Sequence, residues 1–269
     1  MKTLYVTDLD GTLLTCEQTV SEYTKTVING LVDRGILFTY ATARSDETAG
    51  MVTAGLKTSA PRVLYNGAVV RDIGGNVISM QTFGGRVSNI LDDLLKSDIY
   101  PIVYSVQGGR EKFSFLPYKL TRGGETFINS RKSCARYNPV EHVKDLHDGD
   151  IFYITCIDEP DKLAPLYEKY KDEFYCVYQS DIYSGAQWLE IMPKNATKAH
   201  ALCELKNRLG CRLVVFGDGK NDIEMFRVAD ERYAVDNAVK ELREIATGII
   251  GANYDDGVAK WLMRNALAS

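Results

Sequence analysis

The sequence predicts an α/β protein: a Rossmann-like, doubly wound parallel sheet core that is interrupted by an inserted α+β domain. Two observations carry this prediction. At both ends of the chain, short apolar runs alternate with helical stretches, the pattern of a parallel sheet with right-handed crossovers. Between them lie about a hundred residues with alternating apolar positions, enough to form a domain. We therefore expect core residues 1–82, an inserted domain 83–191 and core residues 192–269.

The first core segment begins with an apolar run that ends at a glycine turn, which is typical of a buried strand. Gly35 marks the end of the first helix, a position where helices commonly stop. Asn66-Gly67 and the apolar residues that follow predict a small hairpin attached to the third strand. The expected strands are Leu4–Thr7, Ile36–Ala41 and Arg62–Tyr65, and the expected helices are about Ser21–Arg34 and Asp46–Leu56.

The inserted domain shows apolar alternation typical of antiparallel strands. Ten of the 16 tyrosines lie between Tyr100 and Tyr183. Tyrosine packs well on strands, so we favour ordinary sheet packing, and a polar-aromatic lining for a hydroxylated ligand is the alternative. The expected strands are Ile102–Val106, Lys112–Phe115, Ile151–Ile157 and Phe174–Tyr178, and the expected helices are Val87–Lys96, Gly124–Arg131 and Lys162–Lys171.

After Pro193 the alternation of strands and helices resumes, so the chain returns to the core. The expected helices are Ala196–Leu209, Asp222–Val228 and Gly257–Ala266, and the expected strands are Arg212–Phe216, Tyr233–Val235 and Gly248–Ile250.

Composition excludes several classes of protein. The 32 basic and 36 acidic residues are well mixed, with a net charge of −4, so we expect no nucleic-acid partner and no membrane partner. No apolar stretch is long enough to cross a bilayer, and Met1-Lys2 leads directly into a strand, so no signal peptide is expected. The six cysteines form no Cys-x-x-Cys pair, which argues against zinc and indicates a reducing cytoplasm.

The first strand ends in two acids, Asp8 and Asp10, followed by Gly11 and Thr12. Functional groups gather at the carboxyl ends of parallel strands, in the crevice above the sheet. Two carboxylates there lose solvation and repel each other, and a divalent cation compensates; oxygen ligands suit magnesium. The alternative is a strand followed by an ordinary acidic turn.

Four further segments fall where strand ends should meet. Thr42 follows the second strand near a helix start, which can bind phosphate, although threonine is also a common helix cap. Lys198 opens a helix, where a solvated surface lysine is the alternative. Asp218 and Asp222 form a second acidic strand end that can complete a cation site with the first. The junction 253–259 is, by its chemistry alone, only a helix cap.

Four of these five segments resemble, in order, the four motifs of the haloacid dehalogenase (HAD) superfamily. The motifs are Asp8-Leu9-Asp10-Gly11-Thr12, Thr42, Lys198 and Gly217-Asp218-Gly219-Lys220-Asn221-Asp222. Asn66-Gly67-Ala68 and Asp256-Gly257-Val258-Ala259 are similar to the Cof-type subfamily, whose members are mostly sugar-phosphate phosphatases. The resemblance spans the chain and implies a HAD-like core with a Cof-type cap domain. Ala43 stands where the family often has glycine, and no motif is assigned in the insertion.

The resemblance implies phosphoryl transfer through an aspartyl-phosphate. Asp8 would be the nucleophile, and Asp10 would protonate the leaving oxygen and then take a proton from water. Thr42 and Lys198 would hold the phosphoryl oxygens with help from Asn221, and Ala43 and Arg44 are further candidates for substrate binding. Mg²⁺ would be held by the Asp8 and Asp218 carboxylates and the Asp10 carbonyl, with Asp222 in support. The inserted domain would close over the site and recognise the leaving group.

The expected function is that of a magnesium-dependent phosphatase acting on small phosphorylated metabolites, above all sugar phosphates. The alternatives are a phosphomutase on the same scaffold and a non-catalytic sugar-phosphate-binding protein. A dinucleotide site is not expected, because no Gly-x-Gly-x-x-Gly follows the first strand. The expected partner is the phosphorylated metabolite, and the protein would be a monomer or a small homo-oligomer.

Overall fold

The computed structural model describes residues 2–180 and 185–267. It divides into two compact units, one formed by Met1–Met80 with Ala196–Ser269 and the other by Gln81–Asn195. The second unit is therefore an insertion in the chain of the first.

The first part of the core unit alternates strands and helices before a short hairpin. Ser21 caps the first helix and Ser45 the second, each side chain accepting a hydrogen bond from the backbone N–H three residues on. The elements are β1 (Thr3–Thr7), α1 (Glu22–Asp33), β2 (Leu37–Tyr40), α2 (Asp46–Val52), β3 (Arg62–Leu64), β4 (Val69–Arg71) and β5 (Val77–Met80).

The inserted unit contains the four strands that the apolar alternation predicts and two further strands, β8 and β11, that it does not. The elements are α3 (Val87–Lys96), β6 (Ile102–Gln107), β7 (Arg110–Phe115), α4 (Arg122–Asn129), β8 (Tyr137–Pro139), β9 (Asp150–Asp158), α5 (Pro160–Tyr170), β10 (Tyr175–Ser180) and β11 (Gln187–Met192).

The chain then completes the core unit. Thr197 caps the next helix by accepting the His200 N–H, and Gly210 ends it in the left-handed conformation. The elements are α6 (Lys198–Leu209), β12 (Arg212–Gly217), α7 (Ile223–Val228), β13 (Glu231–Val235), α8 (Lys240–Ile245), β14 (Gly248–Ile250) and α9 (Gly257–Asn265). Within the described residues, no helix is long and apolar enough to cross a membrane.

The main sheet of the core unit has five parallel strands in the order β14-β13-β12-β1-β2. From β1 the chain moves to β2 on one side, and the later strands are added on the other side. The connections between parallel strands have the same handedness on both sides of β1. Because the two sets of connections run in opposite directions along the sheet, their helices lie on opposite faces. The predicted doubly wound α/β core with an inserted domain is confirmed. Asp8 follows β1 and Asp218 follows the adjacent β12, so both lie at the carboxyl edge where the strand order reverses.

A small antiparallel sheet of β3, β4 and β5 contains the predicted hairpin. It joins the main sheet through a parallel bridge between Ala41 and Val63, where the Thr42 N–H donates to the Val63 carbonyl at 2.9 Å. The turn between β3 and β4 is therefore fixed beside the end of β2.

The sheet of the inserted unit has the order β10-β11-β9-β6-β7-β8, and only the β7–β8 pair is parallel among the described strands. Val103 packs in a core with residues of α3 and α5. The next residue, Tyr104, lies on the opposite face, in ring contact with Phe113 and Tyr153. Tyr104 and Tyr153 are thus part of sheet packing, the favoured interpretation, while Tyr183 lies outside the described residues.

Candidate active site

The candidate site lies at the carboxyl edge of the main sheet, around Asp8. The Asp8 N–H donates to the Phe216 carbonyl at 2.9 Å, which extends the β1–β12 pairing by one residue. Its carboxylate is buried. A buried carboxylate needs compensating partners, and they come from two other segments of the core unit.

Lys198 is the cationic partner of Asp8. Its ammonium donates to Asp8 Oδ1 at 2.5 Å and to Asp222 Oδ1 at 2.8 Å, and the side chain is only 1% exposed. Gly67, in the hairpin turn, packs directly against the residue before α6. The contact is so close that a Cβ added to Gly67 would lie 2.2 Å from the Thr197 carbonyl oxygen. Gly67 has φ +107°, a conformation that also favours glycine. The turn thereby determines where Lys198 enters the site.

Asp222 links Lys198 to the loop after β12. Its Oδ2 accepts the backbone N–H groups of Asp218 and Gly219, both at 3.0 Å, while Oδ1 accepts from Lys198. The carboxylate is fully buried. Asp222 therefore orients both the ammonium and the loop that carries Asp218.

Asp218 approaches the loop after β1 from the other side. Thr12 Oγ1 donates to Asp218 Oδ1 at 2.6 Å. An added Cβ on Gly11 would lie 2.3 Å from Asp218 Oδ2, and Gly11 has φ +76°. The glycine of the Asp8–Thr12 motif is therefore required both for its backbone conformation and for the close approach of the second acid.

Burial raises the pKa of two acids of this site, Asp8 and Asp218. It raises the pKa of Asp8 well above the ordinary value; the Lys198 charge opposes this rise, while Asp222 and Asp218 add to it. Burial likewise raises the pKa of Asp218 to about 6, although the Thr12 hydrogen bond acts in the opposite direction. Burial lowers the pKa of Lys198, but the neighbouring carboxylates of Asp222 and Asp8 outweigh it, so its pKa is raised.

These acids fit a divalent cation. Ligand oxygens of Asp8, Asp218 and Asp222 all lie within 4.8 Å of one another. Three carboxylates face one ammonium, so the cluster has an excess of negative charge that burial makes costly. Hard oxygen ligands with surplus negative charge are what Mg²⁺ prefers. The Asp10 side chain is not part of this cluster of oxygens.

Asp10 faces another partner. Arg44 donates to both of its carboxylate oxygens, from Nε to Oδ2 at 2.7 Å and from Nη2 to Oδ1 at 2.6 Å. The Asp10 side chain is 50% exposed and the Arg44 side chain 21% exposed. The hydrogen bond with Asp10 raises the pKa of Arg44 above its ordinary value. The pair places Asp10 at the solvent side of the loop that carries Asp8.

The remaining predicted residues lie around the loop after β2 and the loop after β12. Thr42 is buried, and its Oγ1 accepts the Arg44 N–H at 3.1 Å. Ala43 is exposed. Asn221 Nδ2 lies 3.5 Å from Asn66 Oδ1, so the hairpin turn also reaches the loop after β12.

Comparison with known proteins identifies the family. The model of the haloacid dehalogenase-like hydrolases matches residues 5–262. The chain belongs to this family. The resemblance of the sequence motifs to the HAD superfamily is thus confirmed.

Relatives of this HAD hydrolase are phosphatases. The 5-amino-6-(5-phospho-D-ribitylamino)uracil phosphatase YwtE of Bacillus subtilis is 30% identical over 278 residues, covering 95% of each chain. YitU of the same organism, a phosphatase of the same name, is 25% identical and covers 96% of each. The crystal structure of TM0651 from Thermotoga maritima superposes with a TM-score of 0.80 at 28% identity, covering 98% of this chain and 97% of that one. The protein is accordingly an enzyme, a phosphoric monoester hydrolase.

Several residues that support the HAD site were not predicted to do so. Thr12 belongs to the first motif, but the sequence assigns the residue itself no role; in the structure its hydroxyl donates a hydrogen bond to Asp218. Asn237 Nδ2 donates to the Gly11 carbonyl at 2.7 Å, and Asn253 Nδ2 donates to the Leu14 carbonyl at 2.7 Å. The Asn253 N–H in turn donates to Asn237 Oδ1 at 3.0 Å. These asparagines fix the loop after β1. No local pattern marks Asn237, and Asn253 lies in the junction 253–259, for which the sequence predicts only a helix cap.

Asp256 stands at the N-cap position of α9, but its side chain makes no capping hydrogen bond there and binds the start of α1 instead. Its Oδ1 accepts from Ser21 Oγ at 2.5 Å and from Thr24 Oγ1 at 2.8 Å. Asp256 adopts a left-handed conformation, and Gly257 follows it with no room for a Cβ beside the Gly251 carbonyl. This segment therefore joins the starts of α1 and α9.

Proposed function

We propose that the protein is a magnesium-dependent phosphatase that hydrolyses small phosphorylated metabolites, above all sugar phosphates, through an aspartyl-phosphate on Asp8. The observation that carries the proposal is the position of Asp8. It is a buried carboxylate at the edge of the sheet, hydrogen-bonded to Lys198 and within a cluster of acids that can hold a cation.

Asp8 is the nucleophile in this proposal. Lys198 favours the charged form of its carboxylate, which attacks the phosphorus of the substrate. The new bond joins a carboxylate oxygen to phosphorus while the bond to the leaving oxygen breaks. The electron pair departs with that oxygen, which takes a proton from the Asp10 carboxyl group.

The second half reaction releases phosphate. Asp10, now a carboxylate, takes a proton from a water molecule, whose oxygen attacks phosphorus. The bond to Asp8 then breaks, and its electron pair returns to the Asp8 carboxylate. Asp10 is suited to exchange protons with solvent because it lies at the exposed side of the loop.

The phosphoryl oxygens would be held by Lys198, Thr42 and Asn221. Phosphoryl transfer depends mainly on positioning and on stabilising the charge of these oxygens. The residues that would hold Mg²⁺ are Asp8 and Asp218 through their carboxylates and Asp10 through its carbonyl, with Asp222 in support. The bound cation would offset the repulsion between an anionic nucleophile and an anionic phosphate.

The substrate class is supported by the relatives. Two of them are named as phosphatases of a phosphorylated ribitylamino-uracil, which carries its phosphate on a sugar-alcohol chain. A phosphate monoester on a polyhydroxylated carbon chain is therefore the substrate we expect. We expect the protein to act in a reducing cytoplasm, since its six cysteines form no Cys-x-x-Cys pair.

A substrate panel tests the proposal. Purified protein is incubated with hexose, pentose, ribitylamino-uracil, nucleotide and cofactor phosphates, with MgCl₂ or with EDTA, and inorganic phosphate is measured. We expect magnesium-stimulated phosphate release, with the highest kcat/KM for the sugar or ribityl esters. Transfer of phosphate to another sugar without stoichiometric release would indicate a phosphomutase instead. Absence of release from every ester would indicate a binding protein.

Replacement of the nucleophile tests the intermediate. Asp8→Asn keeps the shape of the side chain but removes its negative charge, so we expect a loss of about 10⁴-fold or more in kcat. Phosphate release is measured for the best substrate of the panel, with circular dichroism to verify folding. Turnover close to that of the wild type would exclude Asp8 as the nucleophile.

A further inference from the structure

Arg44 is aligned on Asp10 in a geometry that serves orientation. Its Nε and Nη2 groups form two parallel hydrogen bonds with the two carboxylate oxygens, at 2.7 and 2.6 Å. Such a fork fixes the plane of a carboxylate as well as its position, which a single charge does not.

Arg44 is itself held from two other sides. Its Nη2 also donates to Gln18 Oε1 at 3.2 Å, and its backbone N–H donates to Thr42 Oγ1 at 3.1 Å. Gln18 has φ +56°, so the turn at residues 15–19 adopts an uncommon conformation that places this side chain beside the guanidinium. The loops after β1 and β2 are thus joined through one ordered arginine.

We propose that Arg44 is a positioning residue for Asp10, rather than a ligand of the substrate phosphate. This inference rests on the proposed function. An aspartate that is half exposed samples several side-chain conformations, and each catalytic encounter would require the productive one. The fork from Arg44 holds Asp10 in one orientation, at the solvent side of the loop that carries Asp8.

The competing role makes a different kinetic prediction. If Arg44 bound the phosphoryl group, its removal would weaken the binding of substrate and of inorganic phosphate alike. If it acts through Asp10, its removal lowers kcat and leaves phosphate binding unchanged. The loss of kcat on removing Arg44 would also vanish in a protein whose Asp10 can no longer exchange a proton. The effects of two substitutions are not additive when the two residues act as a unit.

The experiment is a double-mutant cycle with p-nitrophenyl phosphate as substrate and inorganic phosphate as product inhibitor. The proteins are wild type, Arg44→Ala, Asp10→Asn and the double variant. We expect Arg44→Ala to lower kcat by about 10- to 100-fold, part of the usual contribution of acid–base catalysis. We expect the inhibition constant of phosphate to change by less than about twofold. In the Asp10→Asn protein, we expect Arg44→Ala to lower kcat by less than about a further twofold.

Two further variants keep the test decisive if Arg44→Ala folds poorly. Arg44→Lys keeps the charge but not the fork, so most of the loss in kcat should remain. Gln18→Asn tolerates the same backbone conformation but does not reach Arg44, and we expect a loss of about two- to fivefold. Arg212→Ala is the matched control, since Arg212 pairs with Glu231 at 2.7 Å at the opposite end of the strands.

The outcomes separate this inference from the proposed function. A tenfold weaker inhibition by phosphate in Arg44→Ala, or full activity in Arg44→Lys, would overturn the positioning role. The positioning role would also be overturned if the loss of kcat in the double variant equalled the product of the losses in the two single variants. In each of these cases the wild type still releases phosphate. A wild type that releases none, with any ester and with magnesium, would instead reject the proposed function.

Discussion

The core unit and the inserted unit both bury charged side chains, but they arrange them differently. In the inserted unit, Arg136 Nη1 donates to Glu111 Oε1 at 3.0 Å, with side chains 9% and 8% exposed. In the core unit, Lys198 serves two carboxylates, and a third from Asp218 lies close by. Burial of charge alone therefore does not mark a site.

What distinguishes the core cluster is its imbalance. A buried ion pair with equal charges neutralises itself and contributes to structure. A buried cluster with more acids than cations is unfavourable without a further positive charge, and the raised pKa values of Asp8 and Asp218 express that cost. The following predictions compare this acid-rich cluster of the core unit with features of the inserted unit.

The largest effect is expected from Lys198→Met. It leaves Asp8 and Asp222 buried without their cation, so we expect about 3–5 kcal/mol less stability and about 10³-fold or more lower kcat. Urea unfolding and phosphate release measure the two effects. Arg136→Met in the inserted unit is the matched variant, which should lose comparable stability while its turnover falls far less. Equal losses of turnover in both variants would break the comparison.

A smaller effect is expected from Gly11→Ala, with Gly149→Ala as its counterpart in the inserted unit. Both glycines have positive φ, and an added Cβ would lie 2.3 Å from the Asp218 carboxylate or 2.4 Å from the Val106 carbonyl. We expect each variant to lose about 1–3 kcal/mol of stability. Only Gly11→Ala displaces a candidate metal ligand, so only it should raise the magnesium concentration needed for half-maximal activity. An unchanged magnesium requirement in Gly11→Ala would contradict the assignment of Asp218.

The smallest effect concerns Glu190, a partly buried acid of the inserted unit. Burial raises its pKa above the ordinary value of 4.5, while a hydrogen bond from Tyr153 opposes the rise. Its contribution to stability is therefore full below about pH 4.5 and is lost as pH rises through the pKa of the folded state. Glu190→Gln removes this dependence, so the variant should exceed the wild type at pH 7 by up to about 1 kcal/mol. Thermal unfolding at pH 4 and pH 7 measures the difference; a variant less stable than the wild type at pH 7 would contradict this account.

The sequence predicts most of the fold because its strands and helices are long enough to show their periodicity. Two short elements escape this reasoning, although α7 and β14, which are equally short, do not: α8 has six residues, and β8 has three and ends in a proline at the sheet edge. The residues expected to form the site follow from strand ends, since Asp8 and Asp218 leave adjacent parallel strands.

Contacts between distant side chains could not be predicted in the same way. The pairing of Arg44 with Asp10 depends on the loops after β1 and β2 meeting, and nothing local in either loop encodes it. The same holds for Asn237, which supports the Gly11 carbonyl from a loop after β13. Pattern and motif identify the residues, but their partners are determined by tertiary packing.

The close contact between Gly67 and Thr197 joins the two segments on either side of the insertion. The hairpin before it also reaches α6, where Ser79 Oγ donates to Glu204 Oε2 at 3.2 Å. Both ends of the interruption are thus anchored to the same helix that carries Lys198. The position of Lys198 therefore depends on contacts within the core unit, which would remain if the intervening hundred or so residues were exchanged for another domain.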